Sequence, residues 1–189
     1  MKKALALAAL MLLTTAGAAS RDAVGQVTNG PDGIDASLRM EWRKVGKIEL
    51  DGRRLRFPEV PKAAGLYRFD LVPPNLSPWR YVGQAENLSK RLQQYRTPGR
   101  RQDTSRRVSS QIRHVLGIGG SVEMAVATGE AAVCRKGHCE QADFSDVKQR
   151  MLFERLGILF ACSGTVVCLN LDLPTPARDD SDRRSDHKR

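Results

Sequence analysis

The sequence predicts an α+β fold: a small mixed or antiparallel β-sheet flanked by helices, with an added hairpin on its N-terminal side. Three observations carry this. Several short segments alternate apolar with polar residues, as half-buried strands do. Others repeat apolar residues every three or four positions, as amphipathic helices do. The segments run hairpin, strand, strand, helix, helix, strand, helix, an order that builds one sheet with helices packed against it.

In chain order, Lys47 to Leu50 and Arg53 to Phe57 alternate around Asp51-Gly52, a hairpin signal. Gly65 to Val72 reads as a strand, and Pro73, Pro74, Asn75 and Pro78 break it. Arg80 to Gln84 is a second short strand. Asn87 can accept from the first free N–H groups of a helix over Leu88 to Tyr95. A further helix fits Thr104 to Leu116 and is ended by Gly117, Gly119 and Gly120. Ser121 to Thr128 alternates as a strand, and Phe144 to about Cys162 is a long apolar helix. No internal repeat is visible.

The chain has 189 residues, enough for one domain with tails. Its hydrophobic fraction of 41% supports a core, and its net charge of +10 favours an anionic partner over an acidic, solvating role. Four cysteines in this length do not make a disulfide scaffold. Lys2 and Lys3, the apolar run Ala4 to Leu13 and the small residues Ala16-Gly17-Ala18 form a secretory signal pattern over 1–18. It predicts export to the periplasm or the medium. A true start at Met40 is the alternative, and it leaves the protein cytoplasmic. Beyond the N-terminus no apolar run reaches membrane-spanning length, so no membrane association is expected of the mature form. Residues 19–39 read as a linker, 40–172 as the folded domain, and 173–189 as a disordered charged tail.

On the helix after Asn87, Leu88, Leu92 and Tyr95 share one face, and Arg91 falls on it too. An inward arginine needs an anion, a partner or a route to water. Lys90, Arg91, Arg96, Arg100, Arg101, Arg106 and Arg107 follow closely, opposed only by Asp103. Such density suits a phosphate backbone, so DNA is the expected partner; no protein partner is predicted.

Gly65-Leu66-Tyr67, then Tyr81-Val82-Gly83, then Asn87-Leu88, Arg91 and Tyr95 resemble the GIY-YIG nuclease family. The arginine stands ten residues after the second tyrosine, as in that family. Glu154 within Leu152 to Leu156 is similar to the family's metal-binding glutamate, and Asn170 to a later asparagine. The resemblance implies a divalent-metal-dependent endonuclease that hydrolyses DNA phosphodiesters. It implies catalytic roles for Tyr67, Tyr81, Arg91, Tyr95, Glu154 and Asn170, with Mg²⁺ or Mn²⁺ on Glu154. Either Tyr67 or Tyr81 would take the proton from water, and Arg91 would grip the phosphate with its fork of donors. Leu66 and Val82 replace isoleucines without chemical consequence. Gln84 stands where many relatives carry a lysine, and slower catalysis is expected if that lysine helps ionise a tyrosine.

Gln84, Lys90, Arg96, Arg100, Arg101, Arg106 and Arg107 are assigned to nucleic-acid contact. No appended recognition module is visible, so little sequence specificity is expected. A catalytically weak nucleic-acid-binding protein with the same fold and basic helix face is the alternative. Arg150, four residues before Glu154, is a competing partner for its carboxylate. Cys134 and Cys139 flank a turn and could form a disulfide after export. A zinc site joining His138 with Cys162 or Cys168 is the other option, and otherwise those two are expected as buried free thiols.

Overall fold

The structure is a computed structural model and describes residues 25–27, 36–161 and 164–170. The signal pattern over 1–18 and the tail over 173–189 lie outside the described residues. The elements are β1 (Gly25–Val27), β2 (Ala36–Met40), β3 (Arg43–Asp51), β4 (Arg54–Arg56), β5 (Gly65–Val72) and β6 (Trp79–Ala85). Then come α1 (Leu88–Arg96), α2 (Asp103–Gly117), β7 (Ser121–Ala127), β8 (Ala131–Arg135), β9 (His138–Gln141), α3 (Val147–Ala161) and β10 (Val167–Cys168). The fold class is α+β, as the sequence predicts.

The central sheet has six strands in the order β10-β6-β5-β7-β3-β4. Only β10 runs parallel to its neighbour β6. β5 lies between β6 and β7, so both its edges are paired and its side chains pack on either face of the sheet. Its alternation then sorts two cores. Tyr67, Phe69 and Leu71 join Leu88, Leu92 and Tyr95 of α1 and Val108, Ile112 and Val115 of α2. Leu66 points the other way and joins Phe153 of α3, with Met40, Ala127 and Phe144. α3 packs closely on β6 at Gly157, where a Cβ would stand 3.2 Å from Val82 Cγ1.

The expected hairpin is present, with Asp51 opposite Arg54 and Gly52 at φ 57°, a left-handed turn that suits glycine. It is not an appendage, because β3 begins at Arg43 and pairs with β7 inside the central sheet.

Of three expectations, the first and third need correction and the second, a Cys134–Cys139 disulfide, is met. The segment 19–39 is not linker throughout. β1 and β2 pair with each other, and β2 pairs with β8, in a second antiparallel sheet of order β1-β2-β8-β9. Pairing satisfies the backbone there although Ala36-Ser37 offers little side-chain alternation. Second, the strands β8 and β9 flank the turn Lys136-Gly137, with Cys134 directly opposite Cys139. The two are disulfide-bonded with their Cα atoms 3.9 Å apart. Third, Cys168 is also disulfide-bonded and is not a free thiol, while Cys162 lies outside the described residues. With these sulfurs oxidised, His138 has no thiolate to share a zinc ion with among the described residues. Among those residues no helix is long and apolar enough to cross a membrane.

Candidate active site

α1 starts where Asn87 accepts from Lys90 N at 2.9 Å, which fixes the helix phase over β5. That phase turns Arg91 and Tyr95 toward Tyr67 on β5. The Tyr67 and Tyr95 hydroxyls lie 2.8 Å apart. Arg91 Nε donates to Tyr67 Oη at 3.0 Å, and Nη2 donates to Tyr95 Oη at 3.1 Å. Nη1 donates to Gln94 Oε1 at 2.7 Å and to Ser105 Oγ at 3.0 Å. The guanidinium carbon also stands 4.6 Å from the Tyr95 ring centre. Gly83 permits this arrangement, since a Cβ there would meet Tyr67 Oη at 2.4 Å. Tyr81 is buried beside them, its ring 6.2 Å from Tyr67 and stacked on Phe69.

A guanidinium carries five N–H donors. Four of those on Arg91 are engaged among the described residues, leaving one Nη2 hydrogen and the charge for a ligand. The bidentate grip expected from the sequence is therefore largely spent within the site. The two phenols hold a further surplus. One donates to the other, both accept from Arg91, and the second O–H finds no acceptor among the described residues. Loss of that one proton would leave no unpaired O–H on either phenol. Burial pushes the Tyr67 phenol well above its ordinary pKa, aided by Tyr81 and opposed by Arg91. Burial raises Tyr95 likewise. Both are neutral at pH 7.

An open cleft of about 600 Å³ borders this cluster, lined by Gln84, Ala85, Glu86, Asn87, Lys90, Arg91 and Gln94. Glu154 of α3 is half-buried near it. Desolvation raises its carboxyl pKa, while the Gln84 backbone N–H and the Arg91 and Arg155 guanidiniums act against that rise.

No family model matches the chain. No curated protein matches it either. Among solved structures the chain is similar to a mutant of bacteriophage T4 EndoII, at 24% identity. That likeness covers 61% of this chain and 86% of the other, with a TM-score of 0.41.

The remaining expected site residues separate into two groups. Arg150 does not pair with Glu154: its Nε donates to Gln84 Oε1 at 3.0 Å, and its Nη1 donates to the carbonyls of Phe144 and Ser145. The Asn170 amide acts as one more strand residue, accepting from Val82 N at 2.8 Å and donating to Val82 O at 2.6 Å. It holds β6 in place, with both ends of its amide occupied. Of the basic residues assigned to nucleic-acid contact, Lys90, Arg100, Arg101 and Arg106 are exposed. Arg106 pairs with Asp103. Arg96 is half-buried: its guanidinium stands 5.9 Å from the Phe57 ring, and its Nε is buried without a partner among the described residues. Arg107 is half-buried and engaged within the protein.

Sequence reasoning missed Gln94, Ser105 and Ser109. Ser105 and Ser109 are buried, and Ser109 Oγ donates to Tyr95 O at 2.7 Å, locking α1 to α2 beside the phenol. Their signal was available, because both lie on the stripe with Val108, Ile112 and Val115.

Proposed function

We propose that the chain is a divalent-metal-dependent endonuclease that hydrolyses DNA phosphodiester bonds with little sequence specificity. The observation that carries the reading is the Arg91 cluster: one cation bonded to two buried phenols, at the wall of a cleft that a half-buried carboxylate borders. This matches the chemistry that the resemblance to GIY-YIG nucleases implies. Tyr67 is the phenol best placed to act as base, because Arg91 Nε and Tyr95 can both support its phenolate. Arg91 adds its charge and its remaining N–H to the phosphate as negative charge develops. Lys90 stands at the cleft as a further positive group. Export is supported by the signal pattern and by a Cys134–Cys139 bond, which suits an oxidising compartment.

Glu154 fits a single Mg²⁺ or Mn²⁺. Its carboxylate is desolvated and makes no ion pair among the described residues. One carboxylate suffices for an ion that keeps its waters and takes substrate oxygens. When bound, such an ion polarises a phosphate oxygen and acidifies water.

The catalytically weak DNA-binding reading is favoured by the upward shifts of Tyr67 and Tyr95, which leave little phenolate at neutral pH. One assay separates the two. Purified protein with supercoiled plasmid and Mg²⁺ or Mn²⁺ should produce nicked circles, and EDTA should stop it. Binding without nicking in either metal would leave the weak-binder reading in place.

A further inference from the structure

Arg150 is 6% exposed, yet no carboxylate pairs with it among the described residues. Asp143 acts on this cation only from beyond ion-pair contact, and a buried cation so placed is costly unless oxygen acceptors surround it. Here the acceptors are two main-chain carbonyls and Gln84 Oε1. A guanidinium only donates, so it fixes the orientation of the Gln84 amide: oxygen toward Arg150, Nε2 away. That Nε2 has no partner among the described residues and is not among the buried unsatisfied atoms, so it meets solvent. Gln84 lines the cleft, beside Lys90 and Arg91.

We propose that Arg150 is a positioning residue that turns the Gln84 amide NH₂ into the cleft, where it donates to a non-bridging oxygen of the substrate phosphate. The inference rests on the nuclease reading above. Behind the amide, the buried guanidinium polarises it, so a neutral side chain presents positive N–H groups to an anion. The competing account is a clamp alone, in which Arg150 and Gln84 merely tie α3 to β6.

Gln84→Glu distinguishes them. It keeps an acceptor for Arg150, and makes the contact an ion pair, but removes both N–H donors. The melting temperature should stay at or above wild type. Affinity for a short DNA duplex, measured in EDTA, should fall by about tenfold or more, the worth of one hydrogen bond to a charged group. Arg150→Met should weaken binding as well. Wild-type affinity in Gln84→Glu would overturn the proposal, whatever the stability of Arg150→Met. If wild type neither binds nor nicks DNA, the nuclease reading falls, and inorganic pyrophosphate then probes the donor directly. Thermal protection of wild type that Gln84→Glu abolishes would still support the assignment. Equal protection, or none in either protein, would overturn it.

Discussion

Gly83→Ala tests the site through one added methyl. Its Cβ would stand 2.4 Å from Tyr67 Oη, 2.5 Å from Cζ and 3.0 Å from Cε2. Relief to an ordinary contact of 3.4 Å requires 3.4 − 2.4 = 1.0 Å of movement. Tyr67 is directly opposite Gly83 in the β5–β6 register, so either the ring shifts or the strands part. The ring is hemmed in by Phe69 and Tyr95, with centroids at 5.3 and 6.0 Å. Displacing Tyr67 breaks its bonds to Tyr95 and Arg91, now 2.8 and 3.0 Å long. Overpacking costs about 1–3 kcal/mol. The lost hydrogen bonds add about 1 kcal/mol each. The melting temperature should fall by on the order of 10 °C. A misplacement of this size should also slow cleavage by about 10²-fold. Circular dichroism melts and plasmid nicking measure the two effects. Gly117→Ala is the control, because nothing lies within 4 Å of its Cβ position. Gly83→Ala with wild-type melting and wild-type nicking would refute the placement of Tyr67.

Further outcomes are expected at three places, Tyr67, Glu154 and the Arg100-Arg101 pair. The cleavage rate should rise about tenfold per pH unit through neutral and mildly alkaline pH, because phenolate is scarce below a raised pKa; a plateau near pH 7 would remove Tyr67 as base. The native state also keeps the Tyr67 proton where the unfolded chain loses it, so stability should fall as pH rises past 10.0, a decline that alkaline melts of Tyr67→Phe should lessen. Glu154→Gln should keep the fold and abolish metal-dependent nicking. The native carboxyl holds its proton above the ordinary 4.5, so wild-type stability should fall as pH rises through that window, and melts of the variant should lack this decline. Replacing Arg100 and Arg101 with Ala should reduce the slope of log affinity against log salt by about 2, read by anisotropy; an unchanged slope would place the DNA surface elsewhere.

The site residues legible in the sequence sit on neighbouring elements. β5, β6 and α1 occupy residues 65–96 with short connections, so strand alternation and helix phase alone bring Tyr67, Tyr81, Arg91 and Tyr95 together. What could not be read came from distant parts of the chain. β2 finds its partner β8 about 95 residues later, and neither strand alternates strongly. Arg150 and Glu154 stand one helical turn apart, so spacing offers an ion pair as the alternative to a metal on that carboxylate. Both instead meet Gln84 on β6, Arg150 at the side-chain oxygen and Glu154 at the backbone N–H. Once α3 packs across that strand, the exposed helix face on which such a pair would form does not exist. Helix spacing cannot show what the opposing strand offers.

Charge shows the same limit from the other side. Seven basic residues between positions 90 and 107 suit a phosphate backbone by density alone. Folding divides them by helix phase. Arg91 faces inward and spends four donors on its own site. Arg96 stands four residues after the buried Leu92, so it lies along Phe57 rather than in solvent. Arg106 is exposed and pairs with Asp103 one turn back. Arg107 is engaged as well. Lys90, Arg100 and Arg101 remain on the exposed surface. With Arg106, exposed as well, they leave four charges of this stretch at the surface, and contacts of that kind give a salt-dependent grip with little sequence preference.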